Sequence, residues 1–151
     1  MTTTTTSTAL MQAARVKVAT LAPASAPTEL FVLHGTNQPF EKSPIAKRNG
    51  FEIVSRRPEI LQSFGLSFAK EYQFEMVVRI GHAPFSTDGN REGFTADDIN
   101  RIADILEEGS WAPGGVQQIW YTGSTLDKGE PNWWITEMTF RIVFLSAVVT
   151  S

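Results

Sequence analysis

The sequence predicts an α+β fold: a mostly antiparallel sheet of about four to five strands, with two helices packed on one face. Three observations carry that prediction. "EYQFEMVVRI" (71–80) alternates cleanly, with Tyr72, Phe74, Met76, Val78 and Ile80 on one face. Residues 95–108 carry a capped apolar stripe of helical period. "WWITEMTFRIVFLS" (133–146) alternates like a strand, yet places apolar side chains on both faces.

Taken in order, "MTTTTTST" is a polar, low-complexity arm over residues 1–8. It buries too little to offset its ordering entropy, so it is expected to be disordered unless a neighbouring subunit holds it. Residues 9–151 form the remaining unit, a single α+β domain. Its first element is a helix over 9–21, with Leu10, Ala14, Val18 and Leu21 on one side. Ala22 to Pro27 breaks it, because proline lacks an N–H and restricts the residue before it. "TELFVLH" (28–34) reads as a strand. Residues 35–50 are rich in Gly, Pro, Asn and charge and read as a loop, longer than connections usually are.

"FEIVSRRPEI" (51–60) reads as a strand ending near Pro58, followed by a turn at Gln62 to Gly65 and then the alternating strand. Residues 81–93 read as a loop. The helix after it takes Thr95 as N-cap, with Asp98 at the capping-box position and Phe94 against Ile99 as a staple. Ile99, Ile102, Ala103 and Leu106 form its apolar stripe, and Gly109 ends it. "VQQIWYTG" (116–123) is a strand, 124–132 a turn, and the last strand pairs antiparallel with 116–123.

On the last strand Thr136, Met138, Phe140, Ile142 and Phe144 share one side, and Ile135, Glu137, Thr139, Arg141, Val143 and Leu145 the other. One side belongs to the core. What the other touches is the question the sequence raises.

Composition narrows the function classes. Thirteen basic against 16 acidic residues give a net charge of −3, which argues against a nucleic-acid-binding face. The absence of Cys excludes disulfides and thiolate chemistry. No apolar run reaches the roughly 18 residues of a membrane helix. "APASA" (22–26) resembles a leader cleavage site. The segment before it lacks a basic start and is interrupted by Arg15 and Lys17, so the chain is expected to be soluble and intracellular.

No catalytic, metal or cofactor constellation has specific spacing. His34 and His82 form no paired motif and read as surface or loop residues. Ser63 and Ser67 lack a nucleophile elbow, and "GTNQPF" is not a phosphate loop. "GSWAPGG" (109–115) follows a helix and reads as its cap. Asp97, Asp98, Asp104, Glu107 and Glu108 read mostly as a solvated helix face. Lys47, Arg48, Arg56 and Arg57 form the basic cluster, which could touch nucleic acid or an acidic partner; it reads most simply as a charged loop and strand end, and next as a contact with an acidic neighbouring subunit. Adjacent Trp133 and Trp134 cannot share one side of a strand, so one must find shelter elsewhere, and Trp is enriched at interfaces.

The order of elements, with "YQFEMVVRIGHAP" before the capped helix and "WWITEMTFRIVFLS" as the last strand, resembles the tail terminator proteins of long-tailed bacteriophages, the lambda-like minor tail protein family. The resemblance covers roughly residues 50–148. It implies a subunit of a hexameric ring that caps the tail tube and joins it to the head, with the tail tube protein and a neck or head-completion protein as partners. It implies no membrane, no cofactor and no enzymatic activity, and a place in the virion after assembly in the host cytoplasm. DNA would pass the lumen without specific binding, which a mildly acidic chain favours. Trp133, Trp134, Glu137, Arg141, Arg56 and Arg57 are then the candidate subunit interface. A neighbouring connector or tail-tube protein is the alternative within this class. A ligand-binding or enzymatic domain with a pocket near His82, Trp111 and Trp120 is the alternative outside it.

Overall fold

The computed structural model describes residues 2–24, 28–34, 40, 49–63, 70–82, 91–128 and 134–149. The chain runs β1 (Thr2–Thr4), α1 (Ser7–Val18), β2 (Val32–Leu33), β3 (Gly50–Ser63), β4 (Lys70–His82), α2 (Arg91–Glu108), β5 (Val116–Lys128), β6 (Trp134–Leu145) and β7 (Ala147–Val149). Five strands form one sheet in the order β2-β3-β4-β6-β5. Among the described residues only the β2–β3 pairing is parallel. The expected α+β class with a mostly antiparallel sheet is what the chain adopts.

The Thr-rich arm is held by its own chain. β1 pairs antiparallel with β7, Thr2 opposite Val149 and Thr4 opposite Ala147. The Thr5 amide donates to the Ser146 carbonyl at 2.9 Å, and the buried Thr5 hydroxyl donates to the Gly114 carbonyl. β-Branched threonines favour extended backbone, and the C-terminal segment supplies the ladder that the arm cannot make alone.

α1 starts earlier than the apolar pattern suggests, because Thr6 caps it by accepting from the Ala9 amide at 3.0 Å. Leu10, Ala14 and Val18 are fully buried, as the stripe requires. Thr6→Ala is expected to cost about 1 kcal/mol, read as a drop of about 2–4 °C in a thermal melt.

β2 is shorter than the expected strand over 28–34. Phe31 instead turns into the core and its amide donates to the Leu21 carbonyl at 2.9 Å. β3 runs past Pro58 to Ser63, where an end had been expected. The register shifts between Arg56 and Glu59, and Arg57 takes a positive φ of 51°. β2 reaches only Gly50 and Phe51, so Pro58 sits on an outer edge where its missing N–H has no ladder partner to lose.

β4 keeps the predicted alternation: Phe74, Met76, Val78 and Ile80 are at most 1% exposed beneath the helices. α2 begins a turn before Thr95, which lies inside the helix and is buried, so Thr95 is not the N-cap. Its stripe packs as predicted, with Ile102 and Leu106 fully buried. Gly109, at φ 82°, follows the last turn. β5 continues to Lys128 through what reads as a turn. Two register shifts, before Gln118 and before Gly123, break its alternation and hide its length from a period-two reading. β6 lies between β4 and β5, so its Met138, Phe140, Ile142 and Phe144 sit at the centre of the core.

Candidate functional site

Strand alternation sends the remaining side chains to the outer face of the sheet, away from the helices. The register sorts them into rows across the strands. Glu52, Arg79 and Glu137 form one row over β3, β4 and β6. Val54, Val77 and Thr139 form the next. Arg56, Glu75 and Arg141 form the third, which Trp120 of β5 completes. Sign alternates along each charged row and between the two.

Each charge has a partner nearby. Arg79 donates to Glu52 at 2.6 Å, Arg56 to Glu137 at 2.9 Å and Arg57 to Glu75 at 3.1 Å. Arg141 stacks over the Trp120 ring at 4.2 Å. The two exposed pairs, Arg56–Glu137 and Arg57–Glu75, each contribute about 0–1 kcal/mol, so their weight lies in how they set the surface. In the neutral row between the charged rows Val77 is fully buried.

The first row is capped. Phe40 is buried against Ile135, and its ring lies 5.5 Å from the Arg79 guanidinium. Phe40 falls in the segment read as a polar loop, and a lone aromatic among polar residues was the available signal. The third row is open. Arg56 and Trp120 are exposed, and a shallow depression of about 640 Å³ lies beside them between Leu61, Gln73, Trp120, Arg141 and Val143. The side of β6 that the sequence left unexplained is therefore covered by Phe40 at Ile135 and exposed at Arg141, with Val143 beyond it buried.

Of the residues proposed for an interface, Arg56, Glu137 and Arg141 share this face, and Arg57, 81% exposed, sits at the bulge beside it. Trp134 does not reach the surface. Alternation puts it on the helix side, opposite His82, at 6% exposure. Trp133, Lys47, Arg48, Ser67 and most of the 35–50 segment lie outside the described residues.

The surface reading of His82 is corrected. Its Nε2 lies 2.9 Å from the Asp98 carboxylate, and both residues are buried. Asp98 likewise leaves the solvated face assigned to it. It accepts from the Ala24 amide at 2.8 Å and from Arg101 at 3.3 Å, while Arg101 also donates to the Ala22 carbonyl. This network clamps the segment after α1 onto α2. Burial of a carboxylate requires such partners, and they come from residues remote in sequence. Asp97, Asp104, Glu107 and Glu108 are exposed, as expected. Glu108 accepts from the Ser110 hydroxyl and amide, which holds its carboxyl below the usual value.

His82, Trp111 and Trp120 do not converge. Trp111 donates to the Leu106 carbonyl at 2.9 Å and closes α2, as a helix cap would. Trp120 is on the outer face, opposite Arg141, seven β6 residues or about 23 Å from Trp134, the partner of His82. Among the described residues no three of His, Asp and Glu gather as metal ligands would.

No family model matches the chain, and no curated protein does. Matches among solved structures number 21. One is a chain of the virion of a native gene transfer agent particle, 12% identical with a TM-score of 0.53, covering 91% of this chain and 92% of that one. At that identity the likeness is one of fold, and it extends over nearly the whole of both chains.

Proposed function

We propose that this protein is a structural subunit of a phage-like virion, and within that class a tail terminator. The observation that supports it most is the fold shared over nine-tenths of both chains with a component of a gene transfer agent virion. The exposed charged row and the strand resemblance point the same way. In this reading six copies form a ring that caps the tail tube and meets the neck. Arg56, Arg57, Glu137 and Arg141 then face a neighbouring component. A net charge of −3 disfavours adhesion of DNA to the subunit as a whole.

The test is mass in solution by light scattering across a dilution series, with and without tail tubes. The expected result is a particle of six times the 16.7 kDa subunit, formed alone or when tubes are added. A monomer at all concentrations that ignores tail tubes would sink the proposal.

A further inference from the structure

The outer face complements itself. Across β3, β4, β6 and β5 the open row reads basic, acidic, basic, aromatic: Arg56, Glu75, Arg141, Trp120. Consider a second copy laid face to face, related by a two-fold axis along the strands between β4 and β6. β3 then lies over β5 of the second copy, and β4 over β6. Glu75 meets the second copy's Arg141, and Arg56 meets its Trp120 ring. By symmetry each contact occurs twice, and every pairing is favourable. Phe40 covers the first row of each copy, so the contact is confined to the open row. The alternative axis, laid across the strands along the open row, would set each residue against its own copy, Arg56 on Arg56, Glu75 on Glu75 and Arg141 on Arg141, like charge on like.

We infer that the outer sheet face is an isologous docking surface for a second copy of this chain, centred on Glu75, Arg141, Arg56 and Trp120. Four strands about 4.8 Å apart and five residues of about 3.3 Å give a footprint of about 300 Å² a side. That is well under the roughly 800 Å² of a standard interface, so the pairing is weak for single subunits and gains by repetition in an assembly. A two-fold contact cannot close a head-to-tail ring. It joins two subunits, or two rings, and rests on the ring reading only in using the same face.

Arg141 already stacks on its own Trp120, so the second copy's Arg56 reaches the part of that ring that Arg141 leaves uncovered. Glu75 retains 25% exposure beside Arg57, and Arg56 49% beside Glu137, so each can take a second partner.

Sedimentation equilibrium tests this with two single variants, Glu75→Arg and Arg141→Glu, each first shown to fold by its thermal melt. Alone, each variant meets like charge twice, and its self-association is expected to weaken about tenfold or more against wild type. Mixed in equal amounts, the two variants restore both opposite-charge contacts. Association should return to within about threefold of wild type. A mixture no better than the single variants, single variants that associate like wild type, or a wild type with no self-association at millimolar concentration would each overturn the inference. Should a charge reversal unfold the chain, Trp120→Ala breaks no ion pair and is expected to weaken association about fivefold. Unchanged association would then overturn it. Loss of six-fold rings with dimers retained would refute the terminator reading alone.

Discussion

Phe140→Ala is expected to lower the unfolding free energy by about 4 kcal/mol, a fall of about 8–16 °C in melting temperature. Phe140 is fully buried on β6, the strand with neighbours on both sides. Met76 of β4 lies opposite it on one side and Tyr121 of β5 on the other, the two rings 5.4 Å apart. The truncation removes apolar area from the core and leaves a cavity that rigid strands cannot collapse around. Urea denaturation monitored by circular dichroism measures the change. Phe140→Leu, which keeps most of the volume, should recover well over half of it. A loss under about 1 kcal/mol for the alanine variant would mean that this side of β6 does not face the core.

Asp98→Ala is expected to cost about 3 kcal/mol for a different reason. Its carboxylate faces His82, accepts from the Ala24 amide and from Arg101, and is fully buried. Removing it leaves His82 and the Ala24 amide without that partner, each at a cost of about 1–3 kcal/mol less what relaxation recovers, while Arg101 keeps the Ala22 carbonyl. The variant should also free the Ala24 amide for hydrogen exchange while leaving the amides of β4 and β6 protected. An ordinary cavity would not give that local signature. If Ala24 stays protected in Asp98→Ala, the clamp between α2 and the segment after α1 is not what Asp98 provides.

The elements that the sequence made legible are those whose period is unbroken. The helix-facing sides of β4 and β6 keep their spacing, and the stripe of α2 keeps its own over three turns, so burial followed the pattern there, with Val77 on the outer face of β4 buried besides. β5 did not announce its length, because the register shifts at Gln118 and Gly123 reset which side each residue faces. The β1–β7 pairing joins residues at opposite ends of the chain, and no local propensity encodes it. Asp98 read as a helix-surface acid because its partners, His82 and Ala24, lie outside its own helix. The candidate surface was half legible. Parity alone grouped Glu137 with Arg141, but Glu75 and Trp120 join them only through strand register, which a single sequence does not state.

The irregular edges of the sheet bear on how such a chain survives crowding. β3 carries its positive-φ Arg57 and Pro58 midway along its open side, and β5, at the opposite edge, is bulged twice. Neither offers the long, flat row of unpaired amides and carbonyls on which strands of other chains add without limit. Many copies can therefore be held at high local concentration with little risk of fusing into fibrils. Contacts between them are left to side chains, which can be made and released, and are kept from backbone ladders, which would be hard to undo.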